Sequence, residues 1–177
     1  PLETRPLAET ILRYGGRRLH THDPVLSLLQ WAGESADPPV YAPLVIDHPV
    51  EGAAPRHVLM LQGIADTYIL PPIANALSLA FGLDLAGPSL EATHPATADF
   101  TPLADLLDLR GRAALDLPAR GNRDGVTAVV VQHPQGPVED GHEVVFQTEP
   151  PKIQYRRFLE TLRAGSPEVP EVGRAEP

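Results

Sequence analysis

The chain has 177 residues, of which 42% are hydrophobic and 21% charged, ordinary values for a globular domain. Its formal net charge of −9 repels phosphate backbones, and no stripe of Lys and Arg opposes that charge, so nucleic acid is not an expected partner. The absence of cysteine excludes disulfides and cysteine-based metal or redox chemistry. No apolar run approaches the roughly 20 residues that a membrane span needs.

The chain is rich in proline, and its two ends are expected to be irregular or disordered. Its 21 prolines exceed the usual share of about 5%, which predicts much loop. Residues 1–22 show no sustained period and are expected to be irregular, and a start at Pro1 without an initiator methionine indicates a processed end or a fragment. Residues 166–177, which are rich in Pro and Glu, are expected to be disordered.

The first predicted helix follows Asp23, a good N-cap, and Pro24, which suits the first helical position. Gly33 marks its end. Apolar residues at helical spacing predict a buried face that consists of Val25, Leu28, Leu29 and Ala32. Residues 34–56 are predicted to be mainly loop.

A strand and a helix are predicted next. Residues 57–63 form a short apolar run that ends in glycine, which is typical of a buried strand in a parallel sheet. Pro71 and Pro72 then open a helix that ends at Gly82. Its apolar stripe consists of Ile73, Leu77, Ala80 and Phe81.

The second half of the chain predicts an excursion, a strand and a last helix. Residues 83–122 suit either a lid or acyl pocket or, alternatively, segments that complete the core. The β-branched run 126–131 is the strongest strand signal, and a helix capped by Thr148 follows it and ends at Gly165. This order predicts an α/β fold with a parallel sheet. Because about three or more strands are needed for a stable sheet, another chain or segment is expected to complete it.

Two residues are candidates for chemistry because they follow the two predicted strands. In open parallel sheets catalytic groups lie beyond the carboxyl ends of strands. Asp66 follows the first strand, although an Asx turn or a helix cap would also explain it. His142 lies in the loop after the second strand, where Gly141 would allow a sharp turn, although a surface histidine would also explain it. Along the chain the acid comes before the histidine, which is one of the orders in which the members of a Ser-His-Asp triad occur.

Four segments carry a resemblance to a known family: LLQWAGESADPPVYAP, HVLMLQGIADTYILPP around Asp66, the strand GVTAVVVQH, and DGHEVVF around His142. With them, residues 23–165 resemble the C-terminal part of a bacterial α/β-hydrolase of the lipase and esterase kind. The resemblance implies a partial α/β-hydrolase fold, Asp66 as the catalytic acid and His142 as the catalytic base. It also implies a small ester or lipid substrate and favours a secreted or cell-envelope location, although the sequence leaves the compartment open. No cofactor is expected.

The sequence departs from that family at the nucleophile. Its serines are Ser27, Ser35, Ser78, Ser89 and Ser166, and none stands in the G-x-S-x-G pattern of the nucleophile turn. We therefore expect an N-terminal hydrolase fragment, on a separate polypeptide, to supply the serine and to form a heterodimer with this chain.

Two other classes of function compete with the hydrolase. His20, His22 and Asp23 lie close enough in sequence to suggest a metal site, but zinc needs three or four convergent ligands. A hydrolase-like half could also serve as a binding or structural module without activity, because the nucleophile is absent. Asp66 and His142, in the expected order, favour the enzyme.

Overall fold

The structure is a computed structural model that describes residues 18–20 and 22–173. The expectations for residues 1–17, Thr21 and 174–177 lie outside the described residues. The helices are α1 (Pro24–Gly33), α2 (Pro38–Tyr41), α3 (Pro71–Phe81), α4 (Leu103–Leu106), α5 (Val144–Gln147) and α6 (Glu149–Leu162). The strands are β1 (Val58–Gly63), β2 (Asp84–Ala86), β3 (Ala114–Leu115), β4 (Ala119–Arg120), β5 (Ala128–His133) and β6 (Glu168–Val169).

Four strands form a parallel sheet in the order β1-β5-β2-β3, and β4 pairs with β6 antiparallel beside it. This confirms the prediction of an α/β fold with a parallel sheet. β1 and β5 are the two strands that the sequence predicts, and they pair from Val58 opposite Ala128 to Gly63 opposite His133. Their carboxyl ends therefore coincide, and the loops that follow them leave the sheet side by side.

The core lies on both faces of this sheet because successive side chains of a strand point to opposite faces. On one face Val130 packs with Leu83 and Leu85 in a cluster that Leu79 and Phe81 of α3 also contact. On the other face Val129 and Val131 pack with Phe158 of α6 and Val169 of β6. Helices thus cover both sides of β5, all six residues of which are buried.

Residues 83–122 add to this core. They supply β2 and β3 to the sheet, and Leu83, Leu85 and Leu103 are fully buried. These three leucines therefore belong to the core, as the second alternative for residues 83–122 expected, and not to a lid. β2 carries a buried acid, Asp84, whose carboxylate accepts hydrogen bonds from the backbone N–H of Ala113 (2.9 Å) and from Asn122 (2.8 Å). Its charge is thereby compensated within the sheet.

Two expectations about the ends of the chain need correction. The disorder predicted for residues 166–177 does not hold for residues 166–173, because β6 pairs with β4 and Val169 is fully buried. The buried face predicted for α1 is also wrong: none of its residues is buried, and Trp31 is 70% exposed. Helical spacing indicates which residues share a face, but it does not say whether another element covers that face. Asp23 does cap α1, accepting from the backbone N–H of Val25 at 3.2 Å.

None of the helices in the described part of the chain combines the length and the apolar character that are needed to cross a bilayer.

Candidate active site

The two residues singled out in the sequence meet at the carboxyl edge of the sheet. Asp66 lies in the loop between β1 and α3, and His142 lies in the 3₁₀ turn Gly141–Glu143 that follows β5. Nδ1 of His142 is 3.1 Å from Oδ2 of Asp66, which is a hydrogen-bonding distance. Residues 76 positions apart are thus joined because β1 and β5 are neighbours in the sheet.

The two oxygens of Asp66 have separate tasks. Oδ1 accepts from the backbone N–H groups of Tyr68 (2.8 Å) and Ile69 (2.7 Å), which is the Asx turn that the sequence offered as an alternative. Oδ2 faces His142. The local turn therefore does not compete with the contact to His142; it holds the carboxylate so that its second oxygen points at the imidazole.

His142 is placed to exchange a proton with solvent or a ligand. Its side chain is 44% exposed, whereas that of Asp66 is 12% exposed. A carboxylate opposite Nδ1 favours the tautomer with its proton on Nδ1, which leaves the lone pair of Nε2 free to accept a proton. The ring of Tyr68 flanks the imidazole at a centroid distance of 5.0 Å.

Two glycines allow the loops to come this close. A Cβ atom on Gly63 would lie 1.9 Å from the carbonyl oxygen of Gly141, and one on Gly141 would lie 2.4 Å from that of Ile64. Real Cβ contacts of this length do not occur. The sequence suggested that Gly141 permits a sharp turn; in the structure its role is the close approach of two backbones.

Asp140 ties the two loops together, and sequence reasoning overlooked it. Its carboxylate accepts from the backbone N–H (3.2 Å) and the hydroxyl of Thr67, and from the backbone N–H of His142 (2.8 Å). Burial, the largest single cause, opposes ionisation, but the hydrogen bonds from Thr67 and His142 together outweigh it and hold the pKa of Asp140 below its ordinary value. The available signal was an Asp two residues before His142, where it can cap the turn that carries the histidine.

A buried polar network anchors the ends of β1 and β5, and it too was missed. Glu91, which is buried, accepts from Gln62 (3.0 Å), Asn75 (3.1 Å) and the backbone N–H of Leu103 (2.7 Å). Gln132 donates to Gln62 at 3.1 Å. The signal was a glutamine in each apolar strand, and the two lie opposite each other in the register. The network fastens residues 83–122 to the strands that carry the site.

His133, the other histidine of this region, lies outside the pair. It ends β5, only 5% of it is exposed, and its Nε2 has no hydrogen-bond partner among the described residues. Burial lowers the pKa of His133 to about 4, although the side chain of Gln154 in α6 opposes this shift. His133 is therefore neutral at pH 7.

An open groove of about 420 Å³ runs along β1 and ends at Asp66 and His142. Besides Asp66 and His142, its lining is largely apolar and includes Leu59, Met60, Leu61, Ile69, Val145 and Phe146. Tyr68 and Phe146 are strongly exposed beside it. The groove thus presents apolar side chains next to a proton-accepting imidazole.

The other candidate chemistries find less support in the described part of the chain. No group of three or more His, Asp or Glu residues there could hold a metal ion, so that the suggested site at His20 and His22 is not formed. Within those same residues no serine hydroxyl lies at hydrogen-bonding distance from His142. Ser78, for example, is buried in α3 and donates to the carbonyl oxygen of Ala74 (2.9 Å).

No model of a known protein family matches the chain, and neither does any of the curated proteins or solved structures with which it was compared.

Proposed function

We propose that the chain supplies the acid, Asp66, and the base, His142, of an α/β-hydrolase whose nucleophilic serine is on a separate polypeptide. The observation that carries this proposal is the 3.1 Å contact between His142 Nδ1 and Asp66 Oδ2 at the carboxyl edge of two adjacent parallel strands. This contact supports the proposal because Asp66 orients one nitrogen of the His142 ring, while the other ring nitrogen stays available at an exposed position.

The proposed chemistry is hydrolysis of an ester through an acyl-enzyme. A serine hydroxyl is a weak nucleophile until a base takes its proton. Nε2 of His142 takes that proton as the serine oxygen attacks the carbonyl carbon, and the imidazolium then gives the proton to the leaving alcohol. Water, deprotonated by the same nitrogen, hydrolyses the acyl-enzyme, and the proton returns to the serine. Throughout, the negative charge of Asp66 stabilises the imidazolium.

The substrate class follows from the surroundings of His142. Tyr68, Ile69 and Phe146 are all exposed close to it and present apolar surface to a ligand. The chain has a net charge of −9, which disfavours an anionic substrate. A neutral ester with an apolar acyl or alcohol portion, such as a lipid ester, satisfies both conditions.

The experiment that tests this proposal is labelling with a fluorescent fluorophosphonate. The chain is purified with an affinity tag from the cells that make it, treated with the reagent, and resolved by denaturing electrophoresis and intact mass. We expect label on a second, co-purifying polypeptide that contains G-x-S-x-G, and none on this chain.

A matched pair of variants makes the labelling specific to the site. His142→Ala should slow labelling of the second polypeptide strongly, because the serine loses its base, whereas His48→Ala, at an exposed histidine outside the site, should leave it unchanged. The absence of any labelled polypeptide, or equal labelling with both variants, would contradict the proposed function.

A further inference from the structure

The contact between Asp66 and His142 joins two loops, and on its own it constrains them weakly. The side chain of His142 is 44% exposed, and a polar pair at an exposed position contributes little to stability because water competes for it. A base acts well only where its ring is held within about 0.5 Å of its productive position. Further contacts are therefore needed to hold the imidazole against the carboxylate.

The carboxylate of Asp140 links the residue beside the acid to the histidine itself. Oδ1 of Asp140 accepts from the backbone N–H of Thr67 (3.2 Å) and from that of His142 (2.8 Å), and Oδ2 accepts from the hydroxyl of Thr67. Thr67 directly follows Asp66, so these hydrogen bonds and the contact between Asp66 and His142 form a closed circuit. The side chain of one residue thus fixes the backbone on both sides of the contact.

An ionised carboxylate suits this place because three donors converge on it and it has none of its own. An amide would offer one acceptor oxygen and would turn an NH₂ group toward the remaining donors. Neither Asp140 nor Thr67 lines the groove that ends at His142. Any influence of Asp140 on a ligand in that groove is therefore exerted through the position of the imidazole.

We propose that Asp140 is a positioning residue: its carboxylate, bonded to Thr67 and to the backbone of His142, holds the imidazole against Asp66 and keeps the ring proton on Nδ1. The acid and the base are thereby assembled within this chain alone, before any serine-bearing polypeptide binds. The consequence for turnover rests on the proposed function. The positioning itself rests only on contacts between residues of this chain.

The tautomer of His142 measures this role directly. The full chain is labelled with ¹⁵N in its seven histidines, and two-bond ¹H–¹⁵N correlation spectra show which nitrogen of each ring carries the proton. At about pH 8, where an ordinary histidine is neutral, we expect the proton of His142 on Nδ1. His57 is an internal reference, because its Nδ1 accepts from the backbone N–H of Thr127 (2.9 Å) and its proton therefore lies on Nε2. The signals that disappear in His142→Ala identify His142.

Asp140→Ala and Asp140→Asn should each lower the ratio of the Nδ1–H to the Nε2–H form of His142 by about fivefold, the order expected for the loss of one ordinary hydrogen bond. Thr67→Val, which removes the hydroxyl but keeps the backbone N–H, should lower the ratio less, and Thr67→Ser, which keeps both, should leave it unchanged. Glu139→Gln is the matched control, because it removes a charge at the exposed neighbouring position. Unchanged His57 signals verify that each variant is folded.

In the proposed hydrolase the same variants should act on kcat and leave KM nearly unchanged. Asp140 does not line the groove, so substrate binding should be little affected, whereas a misplaced base costs up to about 100-fold in rate. We expect Asp140→Ala to lower kcat by about tenfold to 100-fold and to change KM by less than about twofold. Glu139→Gln should change neither constant.

An unchanged tautomer ratio in both Asp140 variants, or an equal change with Glu139→Gln, would overturn the positioning role. These results are separable from the fate of the proposed function because the spectra need only this chain. A ratio that depends on Asp140 supports the positioning role even where no polypeptide takes the fluorophosphonate label, which contradicts the hydrolase. A labelled partner together with an unchanged ratio supports the hydrolase and overturns the positioning role.

Discussion

His133 ends β5 and His142 lies on the connection that follows it, yet the burial and the neighbours of the two rings differ. His133 is 5% exposed, and burial lowers its pKa to about 4. The side chain of His142 is 44% exposed and has a carboxylate 3.1 Å from Nδ1. Burial disfavours the protonated form of an imidazole, so His133 stays neutral near pH 7, whereas the ring of His142 is open to solvent and oriented by a carboxylate. The position of a histidine relative to the sheet, and not the residue type, decides which of the two can act as a base.

The largest expected effect is on turnover by the proposed hydrolase, formed by this chain and the proposed serine-bearing polypeptide. His142→Ala and Asp66→Asn should each lower kcat by roughly 10⁴ or more, because the serine loses its base or the base loses its tautomer. His133→Leu should keep kcat within about tenfold of the parent, since its ring has no part in proton transfer. Ester hydrolysis under saturating substrate measures all three. If folded His133→Leu lost as much kcat as His142→Ala does, the conclusion that His142 and not His133 acts as the base would be wrong.

A second expected effect concerns the geometry that brings His142 to Asp66. Gly141→Ala inserts a Cβ that would lie 2.4 Å from a backbone oxygen and 2.5 Å from a backbone nitrogen, so the two loops must separate. We expect the free energy of unfolding to fall by about 3 kcal/mol, the upper part of the range for overpacking. Urea denaturation measures it. Gly33→Ala is the matched control, because no atom lies within 4 Å of its added Cβ, and it should change stability by less than about 1 kcal/mol.

A third expected effect is on stability; it is absent at neutral pH and grows on acidification. Because the pKa of folded His133 is about 4 and that of an unfolded histidine is about 6.5, the unfolded state binds more protons between these values. The contribution of neutral His133 to the free energy of unfolding is therefore fully present above pH 6.5. It falls as the pH drops toward 4, by up to roughly 3 kcal/mol. Asp140, whose folded pKa is lowered, loses its contribution at still lower pH, below its ordinary value of 3.8.

Urea denaturation at a series of pH values checks this window. His133→Leu should flatten the stability curve between pH 6.5 and 4 while leaving the decline at lower pH. If the parent and the variant lose stability in parallel over that window, the burial of a neutral His133 does not control it.

Much of the framework was predictable because it depends on local patterns. Apolar runs of strand length predicted β1 and β5 to within two residues, and proline at a helix start predicted α1 and α3. Once two parallel strands were expected, the residues after their carboxyl ends followed as candidates, and these are Asp66 and His142.

Other features depend on contacts between distant residues and left no local pattern. β2 is three residues long and begins with an aspartate, a residue that is uncommon in strands. It is a strand through its pairing with β5 and β3, and its buried carboxylate accepts hydrogen bonds from Asn122 and from the backbone of Ala113. β6 lies in a segment whose Pro and Glu content favours disorder, and it is ordered because Val169 packs against the sheet.

The sequence by itself determined which residues could form the site, since the order of strands, loops and acid before histidine is a property of the chain. The tertiary structure added the difference in exposure between His133 and His142, because burial depends on what packs around each ring. It also decided that one oxygen of Asp66 closes the turn while the other meets His142, which requires the close approach of Gly63 and Gly141. Periodicity and capping are local signals, whereas solvent exposure and the distance between two loops arise only when the sheet has formed.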